Sequence, residues 1–254
     1  MPRGVIPTSQ PSDLVTLKIL IEGSELSHVY SVMNIVVEKE INRIPTARII
    51  VLDGDPAGQD WELSNKDLFL PGKEIEIKAG YHLDEETIFK GIVIKHSLKI
   101  RASQSFLIVE CKDKAVKMTI GRKSKYFYDS KDSDILEEII GTYGLNKDVE
   151  STAVQHKELV QYNVSDWDFC VVRAQANGKV LVVDDGKISV KKPDAGQAEV
   201  ETVSFGATML DFDAEMDARN QFQKVTSYGW NAADQELLKM EASNPTVSSN
   251  GNVS

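Results

Sequence analysis

Apolar and polar residues alternate from Val15 onward. Val15, Leu17, Ile19 and Ile21 share one parity, and Gly23-Ser24 ends the run, which predicts a half-buried strand. A second extended stretch runs from Val29 to about Ile41, carrying the β-branched Val32, Ile35, Val36 and Val37. Pro45 interrupts it, and Ala47 to Leu52 resumes as a strand. Asp53-Gly54-Asp55-Pro56-Ala57-Gly58 is turn chemistry. Lys73 to Lys78 alternates cleanly. In the long run from Ile88 to Ile100, Ile88, Ile92, Ile94, Leu98 and Ile100 make one apolar face, with Lys95, Ser97 and Lys99 opposite. Phe106 to Lys112 adds a further strand. So many strands with so little helix predict a barrel or a sandwich.

The pattern then changes period. Ile135, Leu136, Ile139, Ile140 and Tyr143 form a helical stripe, with Asp132 or Ser133 as the expected N-cap and Gly144 as the stop. A second helix begins at Ser165. Ser165-Asp166-Trp167-Asp168 has capping-box spacing, with Asp in the place Glu usually holds. Trp167, Cys170, Val171 and Ala174 follow at i, i+3, i+4 and i+7, and Asn177-Gly178 ends the helix. Val180–Val183 and Ile188–Val190 around Asp184-Asp185-Gly186 predict a tight hairpin, because Asp-Gly supplies the positive φ of such a turn. Thr208 to Met216 and Phe222 to Trp230 predict another strand pair. Residues 1–13 read as an arm and 242–254 as a polar linker.

Composition narrows the function classes. The chain of 254 residues carries 29 Lys and Arg against 39 Asp and Glu, a formal charge of −10, which opposes nucleic-acid binding. The one short basic run, Arg122-Lys123-Ser124-Lys125, reads as a solvated linker. No apolar run is long enough for a membrane helix, and the start lacks the apolar core of a signal peptide. Cys111 and Cys170 lie far apart in sequence and read as buried small hydrophobes in a chain made in a reducing compartment.

Motifs of catalysis are missing. No G-x-G-x-x-G, G-x-x-x-x-G-K, G-x-S-x-G or H-E-x-x-H occurs. The histidines, His28, His82, His96 and His156, are scattered singly, so no metal site is expected. The 53–58 segment fails as a calcium loop: an EF-hand wants an oxygen ligand at its fifth position and a bidentate Glu at its twelfth, which here are Ala57 and Ser64. No catalytic residue, cofactor site or metal ligand is assigned, and no enzymatic activity is expected. Trp61, Trp167 and Trp230 are the aromatic residues that could stack on a sugar, although a helix-face Trp such as Trp167 reads as core.

Three segments go further. Val36-Val37-Glu38-Lys39-Glu40-Ile41-Asn42-Arg43-Ile44-Pro45-Thr46-Ala47-Arg48 with Asp53-Gly54-Asp55 is the first. Tyr162-Asn163-Val164-Ser165-Asp166-Trp167-Asp168-Phe169 through Arg173-Ala174 and Asn177-Gly178 is the second, and Val225-Thr226-Ser227-Tyr228-Gly229-Trp230-Asn231 the third. In this order, over roughly residues 14–241, they resemble the VgrG and phage late-control-D family, the baseplate hubs of contractile injection systems. The Ser-Asp-Trp-Asp-Phe segment is the most specific part.

The resemblance implies a mainly β fold with a few helices: two tube-protein-like β-barrel domains joined by a helical connector. The expected division is an arm at 1–13, a first barrel at 14–120, a connector at 121–155, a second barrel with a buttressing helix at 156–241, and a linker at 242–254. Three chains would then present six barrels to a sixfold tube, a symmetry adaptor whose mechanism is geometric. The implied partners are two further copies in a homotrimer, the tube protein, and baseplate and spike-tip components. Neighbouring chains would cover the Ile88–Ile100 run and the Thr208–Trp230 pair. Assembly would be cytoplasmic, with export or injection as part of the particle and no stable membrane insertion. Full members continue into an oligosaccharide-binding-like domain and a β-helical needle, so the piercing function is not expected of these residues. The rival readings are a β-rich ligand- or glycan-binding module and a hydrolase with paired carboxylates, for which a cleft with a carboxyl of raised pKa would be the sign.

Overall fold

The computed structural model describes residues 14–54, 60–81, 84–101, 104–194, 196, 198, 202–206, 209, 211–213, 215, 224–232 and 234–242. The chain divides into two compact units, 11–193 and 194–254 with 1–10.

The first half of the larger unit is one sheet. β1 (Thr16–Ile21), β2 (Ser24–Glu25), β3 (Val32–Glu38), β4 (Thr46–Leu52), β5 (Glu74–Tyr81), β6 (Asp84–Ile100) and β7 (Ser105–Lys112) are ordered β2-β1-β5-β6-β7-β4-β3. Every neighbouring pair is antiparallel. Register brings the alternating apolar positions together: Ile19 lies opposite Ile77, Ile21 opposite Ile75, Ile49 opposite Val109 and Val51 opposite Leu107. These residues form a single core with Phe89, Val93 and Cys111, and half-buried Val32, Ile35 and Val37 of β3 pack on it. One core is therefore fed from β1, near one end of the strand order, and from β3 at the other, which requires a strongly curled sheet. Among the described residues the ladder nevertheless stays open, with β2 and β3 at its two ends. The first expected barrel is thus a curled sheet whose hydrogen bonding does not close.

The buried face of β6 differs from the expectation. Phe89, Gly91 and Val93 are buried, while Leu98 and Ile100 are exposed. Apolar residues occupy both parities here, so counting isoleucines picked the wrong face. The strand's first half pairs with β5 and its second half with β7, and the register shifts between Val93 and Lys95. Gly91 is required by close approach: a Cβ there would lie 2.3 Å from the Lys112 carbonyl oxygen.

Short helix α1 (Glu62–Asn65) and a 3-10 turn, Asp67–Phe69, insert Leu63 and Phe69 into the same core. Asp53 organises them. Its carboxylate accepts from Leu63 N at 3.0 Å, Ser64 N at 2.8 Å and Ser64 Oγ at 2.5 Å.

The second half of the larger unit mixes helix and strand. A 3-10 turn at Lys114–Thr119 leads to β8 (Lys123–Lys131), α2 (Asp132–Gly141), β9 (Asn146–Val149), β10 (Gln155–Val164), α3 (Asp166–Ala176), β11 (Val180–Asp184) and β12 (Lys187–Lys191). β8 pairs with β10, and β11-β12-β9 form a three-stranded sheet in which β12 and β9 run parallel. The predicted helical stripe is buried as Ile135, Leu136, Ile139 and Ile140, although the residue preceding the first turn is Lys131 rather than Asp132 or Ser133. Ser165 caps α3 as expected, with its Oγ accepting from Asp168 N at 3.1 Å. Both helices share one core with Phe127, Leu181, Val183, Ile188 and Val190.

The stretch 121–155 therefore holds two strands as well as a helix, and it packs into the same core as the residues after it. The strands expected to make a second barrel are split among separate two- and three-stranded sheets in the described residues. Arg122 to Lys125 is not a linker, since Lys123 and Lys125 start β8 and reach Asp166 and Glu138. Three strands, β8, β9 and β10, are not evident from the sequence, because their charged residues hide the alternation.

In the smaller unit, β13 (Thr226–Asn231) pairs antiparallel with β14 (Glu236–Glu241). The strand expected around Phe222–Trp230 thus exists, but its partner follows it. The other expected strand, Thr208–Met216, lies partly outside the described residues, and those described there are in no strand.

Candidate functional site

Two buried carboxylates hold the helices of the larger unit. Asp132 opens α2. Its Oδ1 accepts from Arg173 Nε at 2.6 Å, and its Oδ2 accepts from Arg173 Nη2 at 2.8 Å and Asn177 Nδ2 at 2.9 Å, with His156 Nε2 also 2.9 Å away. Arg173 and Asn177 close α3, so the cluster joins the start of one helix to the end of the other, where each charge suits its helix dipole. Burial pushes the Asp132 carboxyl up, but hydrogen bonds from Arg173, Asn177 and His156 outweigh it and hold the pKa at about 2.

Asp166 opens α3. It accepts from Gln161 Nε2 at 2.8 Å, Lys123 Nζ at 2.6 Å and Tyr143 Oη at 2.7 Å. Burial again works against the carboxylate, and these three bonds overcome it, so its pKa is lowered. The same carboxylate raises Lys123 above its ordinary value, and burial raises Tyr143. A carboxylate kept ionised beside an ammonium kept protonated fixes geometry and exchanges no proton near neutral pH.

The β11–β12 hairpin fastens the two halves of the larger unit together. Its turn, predicted from Asp184-Asp185-Gly186, docks on the first sheet. Gly186 N donates to Asp113 Oδ2 at 2.8 Å, and Lys39 Nζ donates to Asp184 at 2.5 Å. Asn42 and Leu181 exchange two bonds of 2.8 Å. Burial pushes the Asp113 carboxyl up, against the N–H bonds of Ala115 and Gly186. Asp113 is the raised carboxyl the hydrolase reading asks for among the described residues. It is buried with both oxygens taken by main-chain donors, so substrate has no access to it.

The remaining candidates stay apart. Trp167 is buried in the core. Its indole edges a cavity of about 360 Å³ lined mainly by polar side chains, including Glu38, Glu40, Asn42, Arg43 and Lys112. Trp61 packs against Gly54, and its buried Nε1 has no hydrogen-bond partner among the described residues. Trp230 is exposed on β13. His28 pairs with Glu25, His96 Nδ1 lies 3.0 Å from the Phe69 carbonyl oxygen, and His82 is outside the described residues. Of the 53–58 segment, residues 55–58 are likewise outside them. Cys111 and Cys170 are buried free thiols. No group of metal-ligating side chains occurs among the described residues, and no helix there is long and apolar enough to cross a membrane.

Two solvent faces contrast. The outer face of the first sheet is laced with ion pairs: Lys18 with Glu85, Lys78 and Lys90 with Glu76, and Lys114 with Glu74. The outer face of the β8–β10 ribbon carries Ser124, Tyr126, Tyr128, Glu158, Val160 and Tyr162, with the Tyr126 and Tyr128 rings stacked 6.2 Å apart. Sequence reasoning missed this face. Its signal was the Tyr-Phe-Tyr run at 126–128, period-two aromatics around one buried Phe.

A family model described as the Alg8 N-terminal domain matches residues 11–254. No curated protein matches the sequence. Among solved structures, the chain is similar to a tail protein from Neisseria meningitidis MC58, with a TM-score of 0.65 at 13% identity over 92% of this chain and 68% of that one. It is similar to the 43 kDa tail protein of prophage MuSo2 from Shewanella oneidensis, with a TM-score of 0.64 at 12% identity over 91% and 69% of the two chains. The third similarity is to the E. coli c3393 protein, described as a component of the type VI secretion system with structural similarity to the T4 bacteriophage tail proteins gp27 and gp5. There the TM-score is 0.54 at 13% identity, over 85% of this chain and 57% of that one. At these identities the common property is the fold.

Proposed function

The chain belongs to the Alg8 N-terminal domain family, and from that premise we propose that it is a structural hub, or spike base, of a contractile injection apparatus. The observation that carries the reading is the fold shared with phage tail proteins across nine-tenths of the chain.

In this reading three copies form a ring. The curled seven-stranded sheet is one tube-docking unit, and the strands between 123 and 241 supply a second, so three chains meet a sixfold tube. The hub assembles in the cytoplasm with tube, baseplate and spike-tip components and leaves the cell within the particle. Negative-stain images of the purified protein should show a threefold ring with six peripheral lobes, and tube protein should bind it. Three lobes without pseudo-sixfold spacing would refute the adaptor. A protein that neither forms rings nor binds tube protein would refute the hub.

The exposed Tyr228 and Trp230 are what the glycan-module reading has in its favour. They lie on an open ribbon, whereas ligand sites are concave with converging polar groups. Polysaccharide binding by a monomer would support that second reading.

A further inference from the structure

The tyrosine face of the β8–β10 ribbon is exposed: Tyr126 by 58%, Tyr128 by 62%, Val160 by 43% and Tyr162 by 80%. In a chain rich in charge, this face carries a single carboxylate, Glu158, directly opposite Tyr128. The β13–β14 hairpin is exposed along nearly its whole length. On one of its faces stand Tyr228, Trp230 and Leu237, exposed by 62%, 65% and 64%, with Lys239 directly opposite Tyr228. The β8–β10 ribbon rests its other face on the helical core through Phe127 and Leu159, whereas the β13–β14 hairpin is exposed almost throughout, and a lone two-stranded ribbon is marginal in water.

We propose that the tyrosine face of the β8–β10 ribbon is the docking surface for the β13–β14 hairpin of a second copy of this chain. The inference rests on the hub reading and names the surface through which its copies meet. Two different patches, one given and one taken, make a head-to-tail contact, the kind that builds a ring when its rotation closes and an open filament when it does not. The sizes match: each patch offers roughly 400 Å² of aromatic and aliphatic surface. A standard interface of about 800 Å² per partner is a little over half apolar, so it needs about that much. Charge adds a switch of partners: on the hairpin face Lys239 lies 3.2 Å from Glu241, which Lys224 also holds at 2.8 Å, so Lys239 can turn to Glu158 of the next copy while Glu241 keeps Lys224. Tyrosine and tryptophan suit such a contact because they offer large area with few rotatable bonds.

The test uses thiol cross-linking of the full chain. Cys111 and Cys170 are buried, so new surface thiols react alone. Tyr126→Cys and Trp230→Cys chains are mixed and treated with a short bismaleimide. Lys90→Cys, on the ion-paired face, replaces Tyr126→Cys in the control. All three sites are exposed, and unchanged melting confirms that each variant is folded. The expected result is a covalent dimer from the Tyr126→Cys and Trp230→Cys mixture, at least tenfold more abundant than from either variant alone or from the control mixture. The charge reversal Glu158→Lys should weaken assembly at least tenfold, and adding Lys239→Glu should restore it. Trimers by sedimentation without that cross-link would overturn the proposed surface while leaving the hub standing. A product within single chains of the double variant, with no dimer from the mixture, would overturn the contact between copies. Monomers at every concentration would overturn both.

Discussion

Asp132 offers the sharpest test of what holds the helical half together. Its carboxylate is almost fully buried and accepts three hydrogen bonds from Arg173 and Asn177, with His156 beside it. Asp132→Ala leaves a guanidinium without its partner. Breaking a buried pair costs about 3–5 kcal/mol. Here the side chains of Arg173 and His156 keep 20% and 24% exposure, so water recovers part of the loss and the low end, about 3 kcal/mol, is expected. Asp132→Asn keeps the shape and removes the charge.

The charge has its own signature. A carboxyl held at about 2 instead of 3.8 contributes roughly 2 kcal/mol at neutral pH. The folded-state value is depressed, so this stability is fully present above the unfolded value and is lost as pH falls through the folded one. About half should remain at pH 3. Urea unfolding of wild type and both variants at pH 7, 5 and 3 reads this directly. The gap between wild type and Asp132→Asn should be about 2 kcal/mol at pH 7 and close to half that at pH 3. A gap under about 0.5 kcal/mol at pH 7, or one that does not change with pH, would refute the reasoning.

Other outcomes follow from packing and backbone geometry. Trp167→Ala should cost about 3–5 kcal/mol, because the indole is part of the helical core; an unchanged denaturant midpoint would place it at the surface. Gly91→Ala should lower stability by about 1–3 kcal/mol, measured by thermal melting, since its Cβ meets backbone rather than a movable side chain. Gly186→Val should cost about 1–3 kcal/mol and speed proteolysis at the hairpin, because Gly186 sits at φ +81° while its N–H holds Asp113. Neither thiol should react with a disulfide reagent in the folded protein at pH 8, and both should react after unfolding. Burial pushes Cys111 up to about 12 and Cys170 further still.

Elements with clean periodicity are legible in the amino-acid pattern alone. The apolar stripe of α2, the Ser165 cap of α3 and the Asp-Gly turn at 184–186 each lie where local chemistry puts them. Where a strand's polar residues find partners elsewhere in the fold, the pattern misleads. Lys123 and Lys125 read as a linker in the sequence, yet they start β8, where they stay about half exposed and pair with Asp166 and Glu138. The buried face of β6 is ambiguous along the chain because both parities are apolar and only the neighbours β5 and β7 choose between them.

The candidate site is less legible still. His156, Asp132, Arg173 and Asn177 are spread over 45 positions and meet only through the packing of α2, α3 and β10. Likewise, Asp113 becomes a latch only because the β11–β12 turn arrives against the first sheet.

What the sequence determined by itself was local: which segments are extended, where helices begin, which turns need glycine, and that the chain is acidic and carries no catalytic motif. Those properties depend on residues within about one turn or one strand of each other, so they can be read along the chain. Which face of a strand is buried, which charges are paired and which aromatics remain outside were decided by tertiary structure. Each depends on neighbours brought close by folding from distant parts of the chain, and a buried charge or a bare tyrosine acquires its meaning only from them.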